Sequence, residues 1–360
     1  MESALKKIRR WLKARRLDAL LVRGPENRRY LSGFTPPDTS ITESSGCLLI
    51  SHQSAYLLTD GRFIEEAKEI LPPFVSIIYK KGVVRELARL VKKEGLKALA
   101  YEEDFVSCAL KKALEAGLTG VRLVGCQGII ERLREAKTEE EIEKINRALK
   151  IAEDILRDIG QALKPGVSEK EIAWKIIEAS FQRAEGPSFP PIVAFGENAA
   201  RPHAEPSSRR LTLKDPIIID MGVKFSGYCS DITRSYCLQP DDKYRHIYYL
   251  VAEAQETAQK AIKAKVPARV IDAAAREVIK KAGLGRYFIH SLGHGVGLAI
   301  HEAPAISSRC RRKLKEGAVV TIEPGIYIPD WGGVRLENMV VVRREEGLLL
   351  NRLPLTYQPL

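Results

Sequence analysis

The chain has 360 residues, 45% of them hydrophobic and 29% charged, and a formal net charge of +12. That length suits two domains rather than one, and no apolar run approaches the ~20 residues of a membrane-crossing helix. The six cysteines form no CxxC pair, which excludes a cysteine zinc site or a disulfide framework. Lysine and arginine alternate with glutamate, as in EEEIEKINRALKIAEDILRD, so the positive balance reads as solvated helix faces and not as a nucleic-acid surface.

The first stretch, MESALKKIRRWLKARRLDALLV, is basic but lacks an uninterrupted apolar core and a small-residue cleavage site. It reads as a helix that packs Ile8, Leu12 and Leu17 inward and not as an export signal, so a reducing, cytoplasmic location is expected. Residues 18–22, 47–51, 55–59, 75–79, 98–102 and 121–125 read as short apolar strands. RFIEEAKEIL, VVRELARLVKKEG and SCALKKALEAG carry helical spacing between them. The alternation predicts an α/β domain over 1–130.

A helical connector, GIIERLREAK, leads into a second domain over 131–360. Thr138 with Glu141 forms a capping box, and Ile142, Ile145, Leu149, Ala152, Leu156, Ile159 and Leu163 make one apolar stripe. Pro165-Gly166 ends that helix, and Ser168 with Glu171 opens the next. The β-rich segments PIIIDMGV, GYCSDITRSYCL, AVVTIEPGIYI and GVRLENMVVV follow, with two helices, about 243–264 and 268–282, between the first pair and the second. Helix-helix-hairpin and then helix-helix-strands reads as one α+β unit used twice.

Asp220 and Asp231 lie in apolar strands joined by a turn at 224–227, which would bring them face to face. Glu323 and Glu337 repeat this in the second half, each set in a hydrophobic strand. Buried carboxylates need a cation or a metal. His294 sits among Gly293, Gly295 and Gly297, which argue against a helix there and against a His290–His294 pair one helical turn apart. Four carboxylates and one imidazole suit Mn2+, with Co2+, Fe2+ or Zn2+ as alternatives. Four negative charges are balanced by two divalent ions, whereas one ion leaves a buried excess. Arg335, two residues from Glu337, faces the same side by strand parity, and Thr233 shares a face with Asp231. Each acid alone reads as a turn or cap residue; only the set carries the metal reading. Cys229 and Cys237 read as small core residues, and His52 and His246 as surface or packing histidines. The glycines at 293–297 lack the dinucleotide spacing, and no phosphate-binding loop is present.

IDMGVKFSGYCSDITRS (219–235), HGVGLAIHE (294–302), TIEPGIY (321–327) and VRLENMV (334–340) resemble the signature blocks of the M24 metallopeptidases. FGENAARPH (195–203) resembles their upstream histidine block, and PENRRYLSGF (25–34) and LLTDGRF (57–63) resemble the creatinase-type N-terminal domain of aminopeptidase P and prolidase. The resemblance implies an α/β N-terminal domain followed by an α+β pita-bread catalytic domain with pseudo-twofold halves. It implies Asp220, Asp231, His294, Glu323 and Glu337 as metal ligands. His203, His290 and His301 would line the substrate site, with His203 and His301 on the substrate carbonyl and Glu323 as proton carrier, while Arg335 and Tyr327 support the ligands. The implied activity is removal of an N-terminal residue ahead of proline, by a homodimer acting on proline-containing peptides. Prolidase is the alternative, requiring a cation for the proline carboxylate, for which Arg201 beside His203 is a candidate. A methionine aminopeptidase shares the five ligands but usually lacks this N-terminal domain. A non-enzymatic binding protein on the same fold suits the positive charge but not the complete ligand set.

Overall fold

Leu5, Ile8 and Leu12 recur one helical turn apart and fold Glu2–Ala14 into helix α1 with that stripe fully buried. In this computed structural model, which describes residues 2–359, the chain divides into two units, Met1–Arg134 and Glu135–Leu360. The first continues through β1 (Ala19–Val22), α2 (Pro25–Ser32), β2 (Cys47–Ser51), β3 (Ala55–Thr59), β4 (Val75–Ile78), α3 (Val83–Glu94), β5 (Ala98–Glu102), α4 (Cys108–Gly117), β6 (Arg122–Cys126) and α5 (Glu131–Arg134). The strands form one sheet in the order β4-β3-β2-β1-β5-β6. Leu20, Val22, Leu48 and Ile50 pack on α1 and α2, and Ala19, Leu21, Leu49 and Leu99 pack on the side of α3 and α4. Apolar cover on both faces explains why these strands read as continuous hydrophobic runs.

The segment 62–71 departs from the expected helix. It forms two short 3-10 turns, Gly61–Phe63 and Glu66–Lys68. The Asp60 side chain accepts from Arg62 N and starts the first turn. Ten residues ahead of Pro72-Pro73 are too few to sustain an α-helix whose last position is pushed out of the helical region by proline. The connector at 128–137 likewise keeps a single helical turn, α5.

The second unit places α6 (Glu139–Ala162) and α7 (Glu169–Arg183) first, each opened by a complete capping box, at Thr138 with Glu141 and at Ser168 with Glu171. Strands β7 (Ile192–Phe195), β8 (Ile217–Met221), β9 (Lys224–Phe225), β10 (Tyr228–Cys229) and β11 (Ile232–Tyr236) complete the first half. Helices α8 (Asp242–Lys260) and α9 (Ala268–Lys281) open the second half, which continues with β12 (Gly293–Gly295), β13 (Glu302–Ile306), β14 (Val319–Ile322), β15 (Gly325–Ile328), β16 (Gly332–Arg335), β17 (Asn338–Val342) and β18 (Gly347–Leu349). The sheets run β11-β8-β7 and β13-β12-β14-β17-β18, with β15 and β16 as a separate ribbon.

Two expected continuous strands are broken in two. Glu323 lies between β14 and β15, and Glu337 between β16 and β17, so neither acid is inside a strand. Pro324 has no N–H to give a ladder, so the chain leaves the five-stranded sheet there. The partner strand leaves at Leu336–Glu337, where Glu337 N donates to Thr233 O of the other half at 3.1 Å.

Candidate metal centre and active-site cleft

Asp220 sits in β8, a strand paired on both sides, where burial of Ile217, Ile218 and Ile219 fixes the register. Its cross-strand partner is Thr233, not Asp231. Asp231 lies in the bend just before β11 and is brought near by a close crossing at Gly222, where a Cβ would stand 1.8 Å from Ser230 O. The face-to-face pairing expected for the two aspartates is therefore a diagonal one. His294 lies in β12, not in a helix. The strand crowds against β14, since a Cβ at Gly293 would meet Thr321 O at 2.1 Å. Thr321 Oγ1 accepts from His294 N at 3.1 Å and donates to Glu323 Oε1 at 3.1 Å, fixing both. Nothing in the sequence singled out Thr321; its signal was only its position two residues before Glu323.

These elements bring all ten expected site residues but one onto the wall of a cleft of about 600 Å3. The exception, Tyr327, stands behind it and joins through its hydroxyl, which meets His290 Nε2 and Arg335 Nη1, each at 2.9 Å. Arg335 Nη2 donates to Asp220 Oδ2 at 2.7 Å, its Nη1 also to Pro202 O, and its Nε to Thr233 Oγ1. Thr233 in turn donates to Glu337 Oε2 at 2.8 Å, so it serves Glu337 and not Asp231. Although Arg335 and Glu337 lie on either side of the strand break, both face the cleft.

His294 Nε2 stands 3.6 Å from Asp231 Oδ2 and 3.4 Å from Glu323 Oε1, and the His301 ring lies edge-on to His294 at 4.3 Å. One ligand atom each from Asp231, His294 and Glu337 falls within 4.8 Å of the others. Burial, then the nearby carboxylates of Glu337, Asp220 and Glu323, hold the Asp231 carboxyl well above its usual range. Burial and the same crowding raise Glu337, and burial pushes Glu323 up to about 8. Burial, and then His301, lowers His294 to about 4; burial and Arg335 do the same to His290. A neutral imidazole with free Nε2 is the form that ligates metal. Asp220 Oδ1 and Glu337 Oε1 are buried without a hydrogen-bond partner. Orphaned carboxylate oxygens, crowded acids and one neutral imidazole on a single wall fit divalent cations.

Arg335 is the one lysine or arginine among the described residues lining the cleft, and Arg201 is not among them. Phe189, Pro190, Pro191, Ile192, Ile300 and Ala305 form an apolar side, which the sequence did not mark out. His52 and His246 are exposed and away from the cleft, and Cys229 and Cys237 are buried.

Fold and cleft together define a metal-dependent hydrolase. The chain belongs to metallopeptidase family M24, whose model matches residues 143–344, preceded by a creatinase/prolidase N-terminal domain at 5–136. It is therefore an Xaa-Pro-peptidase-type hydrolase with the pita-bread catalytic fold, and the family implies divalent metal ions. It is 36% identical to the Xaa-Pro dipeptidase of Pyrococcus furiosus over 95% of both chains. Among solved structures it is similar to an Xaa-Pro dipeptidase from Bacillus anthracis (34% identity, TM-score 0.94, covering 99% of this chain and 98% of that one). It is also similar to an X-Pro aminopeptidase from Thermotoga maritima (36%, TM-score 0.86, 94% and 97%). No helix among the described residues is long and apolar enough to cross a membrane.

Proposed function

We propose that the chain is an Xaa-Pro aminopeptidase that accepts tripeptides and longer peptides. The observation that carries this reading is the commitment of Arg335. The cleft's one guanidinium is taken up by Asp220, Thr233, Tyr327 and Pro202. A dipeptidase needs a cation for the free carboxylate of its substrate, and the described residues of this cleft offer none to spare.

Asp220, Asp231, His294, Glu323 and Glu337 would hold two divalent ions, with Mn2+ the best match to an oxygen-rich set. When bound, such ions acidify water and polarise a carbonyl. The Glu323 carboxylate takes the proton of the attacking water and returns it to the leaving nitrogen. His203 and His301, at the exposed rim, donate hydrogen bonds to the scissile carbonyl oxygen as it gains charge. Thr233 orients Glu337, and Arg335 orients Asp220 through the bonds above. The proline ring, which lacks an N–H, packs on the apolar side formed by Phe189, Pro191 and Ile300.

Comparing Ala-Pro with Ala-Pro-Ala under Mn2+ and Co2+ tests the reading. Cleavage of the tripeptide is expected. Cleavage of the dipeptide alone makes the chain a prolidase, the activity for which the Pyrococcus and Bacillus relatives are named. Cleavage of Met-Ala-Ser with neither proline peptide cut makes it a methionine aminopeptidase.

A further inference from the structure

His301 reaches the cleft from the loop 296–301 that joins β12 to β13. Its ring makes no hydrogen bond among the described residues and rests edge-on against His294. A donor to a developing oxyanion works only where it is held close to its productive position. The aim of this ring is therefore set by the backbone that carries it.

The start of the loop is tied to the strands around it. Val296 N donates to Val319 O at 3.0 Å, and Gly297 O accepts from Cys229 N at 2.8 Å. The end that carries His301 runs into Glu302, which opens β13 opposite Gly295 and turns its side chain back beneath the loop. Glu302 Oε1 stands 2.6 Å from Lys137 Nζ, with the two side chains 4% and 1% exposed. The carboxylate lies against the α-carbon of Gly297, where a Cβ would collide with Oε1 and stand 3.0 Å from Oε2. Lys137 is fixed in turn just ahead of α6. Its N donates to Gly317 O at 2.9 Å, and its ammonium group also meets Glu135 O at 3.3 Å.

A buried ion pair is a poor source of stability, because two charges must leave water to form it and an apolar pair of the same volume serves as well. What it supplies beyond an apolar pair is direction, since one oxygen is held at one distance from one nitrogen. Here that direction is delivered to the residue next to His301. We infer that Lys137 and Glu302 are positioning residues that aim His301 at the scissile carbonyl, with Gly297 leaving room for the carboxylate. The inference rests on the role proposed for His301 and deepens it.

The paired variant Lys137→Met/Glu302→Met tests this in the metal-loaded chain. It removes both charges at similar volume and leaves no lone buried charge, so its melting temperature should stay near that of the wild type. Its kcat should fall roughly ten- to one-hundred-fold with KM and bound metal unchanged, as for misplacing a group used in the transition state. In a His301→Ala background the same pair of changes should cost nothing further, because the ring they aim is gone. Gly297→Ala keeps both charges but forces the carboxylate aside, and should show the same loss and the same silence without His301; it decides the matter should the paired variant not fold. Full turnover in the folded paired variant overturns the inference, and so does an equal further loss in the His301→Ala background, since the pair then serves the fold alone. Full turnover in His301→Ala itself removes the role proposed for the ring, and the inference falls with it; turnover lost in His301→Ala but kept in the paired variant strikes at the inference alone.

Discussion

At the scale of single residues, the cleft holds both the groups proposed as metal ligands and the groups proposed to meet substrate. Asp231, Glu323 and Glu337 are crowded carboxylates whose burial favours the neutral form. His203 and His301 sit at the exposed rim of the same cleft, His301 edge-on to the His294 ring. His203→Ala and His301→Ala should each lower turnover by roughly 10²–10³, the loss of one donor to a developing oxyanion, while bound metal measured by elemental analysis stays constant. Loss of metal in either variant would move that histidine into the ligand set. A second residue-scale prediction concerns Glu102 in the first unit. It accepts from Arg23 N, Gly24 N and Asn27 Nδ2, but burial dominates and pushes its carboxyl up to about 7. A folded-state pKa raised above the unfolded value means the folded chain binds the extra proton. Its stabilising share is therefore full below about pH 4.5 and is lost as pH rises toward 7. The difference amounts to roughly 3 kcal/mol at most. Urea unfolding of the wild type and Glu102→Gln between these limits should show the slope in the former and a flatter line in the latter. Equal slopes would count against it.

At the scale of elements, legibility followed periodicity and capping chemistry. The α6 stripe from Ile142 to Leu163 is buried throughout, and both capping boxes close, because a Ser or Thr followed by Glu three residues on can satisfy the first helical N–H groups without help from the rest of the fold. Replacing Thr138 by Ala should therefore cost about 1 kcal/mol in denaturant unfolding, with Thr138→Ser nearly neutral; equal loss in both would point to packing of the methyl group instead. Where three-dimensional pairing decides, the sequence misleads. The stretch 62–71 has helical spacing but too little length ahead of two prolines. AVVTIEPGIYI and GVRLENMVVV look like single strands, yet each changes sheets at its acidic residue. That break frees Glu323 and Glu337 from ladder geometry and lets them turn toward Asp231 and His294, so the local rule fails at the site itself. The five residues proposed as ligands could be singled out from residue types and flanking blocks, and they line one cleft. Thr321 and the apolar side at Phe189–Ile192 were not, because their roles arise from strands distant in sequence.

For the whole molecule, the consequence is that folding and metal binding are linked. The catalytic unit buries Asp220, Asp231 and Glu337 with only Arg335 as a charged counterweight among the cleft residues, and two of their oxygens go unmet. The metal-free chain thus bears the cost of burying crowded acids, most of them held toward the neutral form, and ions bound by the folded state alone would displace those protons and stabilise it by mass action. At a free metal concentration one hundred times its Kd, each site adds about 2.7 kcal/mol. Differential scanning calorimetry of chelated and Mn2+-loaded protein should show an unfolding transition that climbs with metal concentration. Glu337→Ala supplies the internal control. It removes one of the crowded acids, so the chelated variant should melt at or above the chelated wild type, yet its climb with metal should be much smaller because a ligand is gone. A wild-type transition indifferent to Mn2+, Co2+ and Zn2+ would mean that the carboxylates are neutralised by protons and by Arg335 instead, and the metal reading of the cleft would fall with it.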